Sequence, residues 1–268
     1  MSDRPASPAD LVPFAEKLAD AARAAALPFF RLAATRTDNK AATGYDPVTE
    51  ADQAAERAMR ALISAERPDD GVEGEEYGSS ASRNGLVWYL DPIDGTRAFI
   101  AGLPTWTTLI GLVDQGRPAL GIIDQAWLDE RYVGCNGKAW LDCRGARTPL
   151  KTRDCSALTD AILSTTDPFI LTPPERGAFE HLRQTARLTR YGLDGYGYAR
   201  LAAGSIDMVT ETGLKSHDVA ALIPVIEGAG GVVTDWRGNA PKLGGQIAAA
   251  ANRKILDEAL VSLKRSAL

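Results

Sequence analysis

The sequence predicts an α/β chain whose first half is α+β. From about residue 160 onward, short apolar runs alternate with stretches of helical spacing. Between residues 104 and 150, four apolar runs follow one another with only turn residues between them. Alternation argues for helices layered on a sheet, and runs joined by tight turns argue for an antiparallel meander.

Each element follows from its local pattern. From Asp10, the residues Leu11, Phe14, Leu18, Ala22, Ala25, Phe29 and Leu32 recur at steps of three and four. That spacing predicts an amphipathic helix with Asp10 as N-cap, which Pro28 should kink or end. Residues 35–48 are polar and hold Gly44 and Asp46-Pro47, so they read as a loop. Thr49-Glu50-Ala51-Asp52 opens a second helix with Ala55, Met59 and Leu62 on one face. Glu50 and Asp52 suit the positive end of its dipole. The acid-rich stretch Val72 to Gly78 lies between glycines and reads as loop. Leu86 to Leu90 is an apolar run with the character of a buried strand, ending at Asp91.

The meander comprises Thr107 to Val113, Ala119 to Asp124, Arg131 to Gly134 and Ala139 to Asp142, with turns at Asp114-Gln115-Gly116 and Asn136-Gly137. Polar residues from Leu150 to Thr159 mark a boundary, giving an α+β subdomain at 1–150 and an α/β subdomain at 151–268. In the second, strands are expected at Ala161–Thr165, Arg187–Tyr191, Ile206–Glu211 and Gln246–Ala251. Helices are expected at Glu175–Gln184, Tyr196–Ala203, Asp218–Gly228 and Lys254–Leu263, with Pro224 straining the third.

Composition excludes several function classes. The 268 residues are 45% hydrophobic and 24% charged, enough for one large domain or two smaller ones. A net charge of −5 gives no basic footprint for nucleic acid. An anionic substrate would therefore need local cations or metal ions. Three cysteines without C-x-x-C spacing argue against a disulfide scaffold or a zinc site and for a reducing cytoplasm. The first ten residues lack the pattern of a signal peptide, and no apolar run approaches the length of a membrane span.

The chemistry is concentrated at Asp91-Pro92-Ile93-Asp94-Gly95-Thr96. Pro92 fixes its own φ, and Gly95 can take a positive φ, so two carboxylates share a sharp turn at a strand end. At about 4 Å and an effective dielectric of about 20, their repulsion costs roughly 4 kcal/mol. A hard cation reverses that sign, and Mg²⁺ favours carboxylate oxygen. A lone Asp-Pro would be read as a turn cap; two acids around it, after a buried strand, point to metal.

Competing hydrolytic designs fail. There is no G-x-S-x-G elbow, only two histidines, no P-loop and no D-x-D at a strand end. Gly228-Ala229-Gly230-Gly231 follows a helix and reads as its stop. Asp91 and Asp94, with Glu75 and one more distant acid, could hold two or more Mg²⁺ ions. Gly95 and Thr96 N–H groups could cradle phosphate, and the Thr96 hydroxyl could orient water. The residues thus lead to a metal-dependent phosphoryl hydrolase.

G-E-E at 74–76, D-P-I-D-G-T at 91–96 and D-V-A-A at 218–221, in this order, resemble the inositol monophosphatase superfamily over essentially the whole chain. The resemblance implies a layered α-β-α-β-α sandwich, two or three Mg²⁺ ions per site, and hydrolysis of a phosphate monoester by direct attack of metal-activated water. It implies Glu75, Asp91, Asp94 and Asp218 as metal carboxylates, with the Ile93 carbonyl a further ligand. Thr96 and Asp52 would position and deprotonate the water, Glu75 touching it through the metal. Gly95 and Thr96 amides would hold the phosphate. His217 stands where the resemblance leads one to expect Trp, which bears on local packing. A homodimer is also implied.

Within the superfamily, D-G-T-R-A-F-I, G-L-P-T-W (102–106), I-I-D-Q (122–125), residues 190–204 and residues 213–231 are similar to the histidinol-phosphate phosphatases of this fold. That branch implies conversion of L-histidinol phosphate to L-histidinol in histidine biosynthesis. Gly195 stands where a Cys is expected and Ala126 where Pro is. Asp194 and Glu211 are candidates for binding the amine or imidazole of the substrate. An inositol-1-phosphatase or a broad sugar-phosphate phosphatase is the alternative enzyme, and a catalytically silent regulatory protein the non-enzymatic one. A silent relative would have no need of Asp52, Glu75, Asp91, Asp94, Thr96 and Asp218 together.

Overall fold

In the computed structural model, which describes residues 7–32, 37–39 and 47–268, the first outer layer is a helix pair. Helix α1 (Val12–Ala26) is preceded by a 3-10 turn over Pro8–Leu11. Asp10 is therefore not the N-cap of α1; its carboxylate accepts from Ser7 N and Oγ at 3.1 and 2.8 Å and closes a capping box on the earlier turn. The helix ends at Ala26 ahead of Pro28, and Leu32, expected on its apolar face, lies beyond it and is exposed. Part of the expected 35–48 loop is a short antiparallel ribbon of β1 (Thr37–Asn39) and β2 (Pro47–Thr49); its residues 35–36 and 40–46 lie outside the described residues. Helix α2 (Glu50–Glu66) starts from a Thr49 N-cap.

Beneath these helices lies a sheet of eight strands. They are β3 (Gly71–Gly74), β4 (Gly78–Ser80), β5 (Leu86–Asp94), β6 (Thr107–Asp114), β7 (Arg117–Gln125), β8 (Glu130–Cys135), β9 (Lys138–Cys143) and β10 (Ala146–Pro149). Their order is β10-β9-β8-β7-β6-β5-β3-β4, antiparallel except for β3 beside β5. The acid-rich segment read as loop, Val72 to Gly78, thus carries most of β3 and the first residue of β4. Neither shows two-residue alternation over enough length to register as a strand, and β3 is fixed by pairing with β5 instead. The short helix α3 (Thr96–Ile100) follows β5 directly.

The second sheet has the order β12-β11-β13-β15-β14, formed by β11 (Ile162–Thr165), β12 (Leu188–Tyr191), β13 (Met208–Leu214), β14 (Val232–Thr234) and β15 (Gly245–Ala250). Helices α4 (Pro173–Thr185) and α8 (Arg253–Leu263) cover its outer face. Between the sheets lie α5 (Asp194–Ala202), α6 (Ser216–Ala220) and α7 (Leu222–Gly228). The layers run α-β-α-β-α.

The expected single helix over Asp218–Gly228 is two helices, α6 and α7, meeting at Ala221. Pro224 has no N–H for the Ala220 carbonyl, four residues back, and its ring crowds that carbonyl. Burial of Leu222, Ile223, Val225 and Ile226 holds the broken pair in place. The sheet below is cut away to receive it. Gly111, Gly121 and Gly134 are cross-strand partners on β6, β7 and β8. A Cβ at Gly121 would stand 2.0 Å from Ala221 O, and one at Gly134 2.3 Å from the Pro224 carbonyl. These glycines let the α6–α7 backbone lie directly on the sheet, which fixes where Asp218 begins.

Candidate active site

The local geometry of β5 differs from the expected strand ending at Asp91. The strand continues to Asp94, with Asp91 opposite Leu109 and Asp94 opposite Thr107 on β6. Two residues, Pro92 and Ile93, therefore face the single Thr108, which makes a bulge. Thr108 Oγ1 donates to Pro92 O at 2.8 Å, and Ile93 N donates to Asp91 Oδ1 at 3.1 Å, holding the bulge shut. Positions three apart on a regular strand point to opposite faces. The extra residue turns Asp91 and Asp94 toward one another. Gly95, at φ 83°, then ends the strand and starts α3.

Two other elements bring partners. Parallel pairing of β3 with β5 carries Glu75 alongside Asp91, with Glu75 N donating to Leu90 O at 3.1 Å. Asp218 stands in the first turn of α6, its Oδ2 accepting from Lys215 N at 2.7 Å. Ligand atoms of Asp91, Asp94 and Asp218 all lie within 4.8 Å of one another, as do those of Glu75, Asp91 and His217. Asp94 Oδ2 also accepts from Gly195 N at 2.5 Å and Thr107 Oγ1 at 3.2 Å. Thr96 Oγ1 donates to Ile93 O at 3.1 Å. Asp52 Oδ2 accepts from Thr49 N and Oγ1, while its Oδ1 is buried with no hydrogen-bond partner.

A cavity of about 280 Å³ is lined by Glu75, Asp91, Ile93, Asp94, Gly95, Thr96, Asp194, Glu211 and Asp218. The structure therefore brings together nine of the ten residues singled out in the sequence. Asp52 lies outside that lining, buried at the start of α2. A second cavity, of about 730 Å³, shares Thr166 and Asp194 with the first and has Arg97, Phe169 and Tyr191 in its walls.

Electrostatics mark the acids as under-compensated. Burial, followed by repulsion from Glu75, Asp94 and Asp218, holds the Asp91 carboxyl well above its ordinary range. Asp94 is raised in the same way, by burial and then Asp194 and Asp218, against the pull of the Gly195 N–H. Burial also raises Asp218, with His217 and the Lys215 amide pulling it back. Burial pushes Asp52 up to about 7, outweighing its bonds from Thr49. Lys215 Nζ lies 3.9 Å from Glu75 Oε1, and His217 Nε2 lies 3.5 Å from Asp218 Oδ1. Converging carboxylate oxygens, those of Asp91 buried and the rest half-buried, with a neighbouring carbonyl at Ile93 fit a hard divalent cation.

Of the candidate substrate acids, Glu211 is buried and Asp194 half-buried. Glu211 is not a surface acid at a strand end: it is 5% exposed, accepts from Thr166 N at 2.9 Å and from the Thr166 hydroxyl, and accepts from Tyr198 OH at 3.1 Å. Burial pushes it up to about 7. Asp194 opens α5 at φ 46° and is pushed up to about 6 by burial, against the attraction of Arg97.

A profile of the inositol monophosphatase family matches residues 8–267. The chain belongs to this family. Its members are phosphatases, generally Mg²⁺-dependent, which act on small phosphate esters. The chain is 42% identical over 234 residues to the chloroplastic bifunctional phosphatase IMPL2 of Arabidopsis thaliana, covering 81% of its own length and 65% of that relative's. It is 37% identical over 206 residues to a histidinol-phosphatase of Chlorobaculum parvum, covering 77% of this chain and 79% of that one. The solved structure of an inositol monophosphatase from Zymomonas mobilis superposes with a TM-score of 0.84 at 39% identity, covering 97% of this chain and all of that one.

Sequence reasoning missed three contributors. Gly195 is where α5 meets Asp94: a Cβ there would stand 2.5 Å from Asp94 Oδ2, so the absence of a side chain lets the N–H bond form. Thr107 is set opposite Asp94 by the bulge, which no linear spacing announces. His217, marked in the sequence only as a departure from the expected Trp, reaches the acids rather than serving packing alone.

Proposed function

We propose that the chain is a Mg²⁺-dependent histidinol-phosphate phosphatase acting in histidine biosynthesis. One observation carries the reading: a single cavity is lined both by the converging metal-type carboxylates and by Asp194 and Glu211. The first set suits a phosphate through metal, and the second suits the cationic end of histidinol.

Glu75, Asp91, Asp94, Asp218 and the Ile93 carbonyl would hold two or three Mg²⁺ ions. A metal held there would polarise the phosphoryl group and lower the pKa of a water. Gly95 and Thr96 N–H groups receive phosphate oxygens as β5 turns into α3. The Thr96 hydroxyl orients water, and Asp52 takes its proton. A free Oδ1 and a pKa near neutrality suit Asp52 to that role. Subdomains 1–150 and 151–268 close the site between them, the first giving Glu75, Asp91 and Asp94, the second Asp218, Asp194 and Glu211. The reading also places the enzyme in a reducing cytoplasm as a homodimer.

The second reading, an inositol-1-phosphatase or broad sugar-phosphate phosphatase, is favoured by the likeness to the Zymomonas mobilis structure. Phosphate release from histidinol phosphate and from inositol-1-phosphate, each with and without Mg²⁺, separates the two. We expect kcat/KM to favour histidinol phosphate at least tenfold. A tenfold preference for inositol-1-phosphate would overturn the assignment.

A further inference from the structure

His217 is the second residue of α6, only 7% exposed, and its Nε2 is buried without a hydrogen-bond partner. A buried imidazole nitrogen ordinarily finds a partner. This one is 3.5 Å from Asp218 Oδ1, and an imidazole nitrogen of His217 lies within 4.8 Å of oxygens of Glu75 and Asp91. Donors on one ion stand on a shell of radius about 2.0–2.2 Å, so no two can be more than roughly 4.4 Å apart. A shift of a few tenths of an ångström therefore closes the set. The backbone that carries His217 is already pinned, because Gly111 lets Ala220 press on β6, where a Cβ would come within 2.7 Å of the Ala220 side chain.

We propose that His217 Nε2 is a metal ligand, giving the centre two subsites of different chemistry that share Asp91. The subsite of Asp91, Asp94 and Asp218 is all oxygen and suits Mg²⁺. The subsite of Glu75, Asp91 and His217 mixes oxygen with imidazole nitrogen, a set that prefers a borderline transition ion such as Co²⁺ or Zn²⁺. An indole at position 217 could only donate a hydrogen bond and would leave both subsites to oxygen. The inference rests on the reading that these acids bind divalent metal.

The test uses the metal-stripped full chain loaded with Mn²⁺ as a paramagnetic probe. Pulsed electron spin resonance should show nitrogen coupling to the bound ion, and that coupling should change character when the histidines are ¹⁵N-labelled. The chain has two histidines, and His181 is exposed on α4, in the outer layer. This experiment needs no variant and so does not depend on how a substitution folds. In equilibrium dialysis, His217→Gln should then lower Co²⁺ affinity at least tenfold and Mg²⁺ affinity less than twofold. Mn²⁺ binding without nitrogen coupling would overturn the ligand assignment, leaving His217 as a counter-charge to Asp218 and the acidic metal site intact. Equal losses for Co²⁺ and Mg²⁺ would also overturn it. Failure to bind Mn²⁺ at all would instead remove the metal-site reading beneath it.

Discussion

Asp124 on β7 and Asp91 on β5 are carboxylates of the same sheet, 0% and 3% exposed. Around Asp124, Arg23 donates through Nε at 2.6 Å and a second guanidinium nitrogen at 3.0 Å, and Arg131 Nε donates at 2.7 Å. The arginines are held in turn by Asp129 and Asp20. Burial works against the charge of Arg23, yet Asp124 outweighs it and raises the pKa of the guanidinium. Around Asp91 the neighbours are Glu75, Asp94 and Asp218, all of the same sign. A buried charge without an opposite partner is unstable and must take up a proton or a metal. The difference teaches that a metal site is recognised by burial without compensation, since acids are plentiful in both places.

The largest effect that bears on this contrast is at Asp94. Asp94→Asn removes a proposed metal oxygen, so Mg²⁺-dependent turnover should fall about 10³-fold or more, equivalent to roughly 4 kcal/mol of transition-state stabilisation. The metal-free variant should be at least as stable as the parent at pH 8, because one like charge has gone. Steady-state kinetics and denaturant titration without metal read the two quantities. Turnover near the parent's would remove the multi-metal mechanism.

Asp124→Asn should behave in the opposite way. It takes from Arg23 and Arg131, 18% and 11% exposed at their side chains, the buried carboxylate they share and leaves them the exposed Asp129 and Asp20. Breaking one partner of a buried pair costs about 3–5 kcal/mol. The urea midpoint should drop accordingly, while kcat per folded molecule stays within about twofold. A neutral midpoint would show that the arginines find other partners and that the two regions differ less than their geometry suggests.

Much of this contrast was legible in the sequence, and the rest was hidden for identifiable reasons. D-P-I-D-G-T, G-E-E and D-V-A-A are linear marks whose resemblance to the family picked out Glu75, Asp91, Asp94 and Asp218 and implied the layered sandwich, while the order of apolar runs by itself gave an α/β chain with a meander. The bulge could not be read, because Pro92 and Ile93 look the same in a turn as in a strand that gains one residue. Strands β1, β2, β3, β4, β10 and β14, each of four residues or fewer, were missed because so short a segment shows no period of its own; β11 and β12, no longer, were marked by their place between stretches of helical spacing. The break at Ala221 could be suspected from Pro224, but the glycine stripe that seats α6 and α7 exists only once β6, β7 and β8 are in register. The arginine pairs of Asp124 lie 101 and 7 residues away along the chain, a pairing that no local pattern marks.

Glu211 lies between the two extremes, buried but satisfied by hydroxyl and amide donors rather than by charge. Its carboxyl is raised from 4.5 to about 7, chiefly by burial. A carboxyl raised in the folded state holds its proton there longer than in the unfolded chain. Its contribution to stability is therefore fully present below about pH 4.5 and is lost as pH rises through about 7. Between pH 5 and pH 8, metal-free protein should lose on the order of 2 kcal/mol from this group alone. Glu211→Gln keeps the shape and an acceptor for the Thr166 N–H but cannot ionise. The variant should match or trail the parent at pH 5 and exceed it at pH 8, with a shallower fall between. Asp52 and Asp194, raised to about 7 and about 6, together with the raised Asp91, Asp94 and Asp218, would supply the slope that remains. Parallel pH profiles for the two proteins would mean that hydroxyl and amide donors compensate Glu211 as fully as the arginines compensate Asp124.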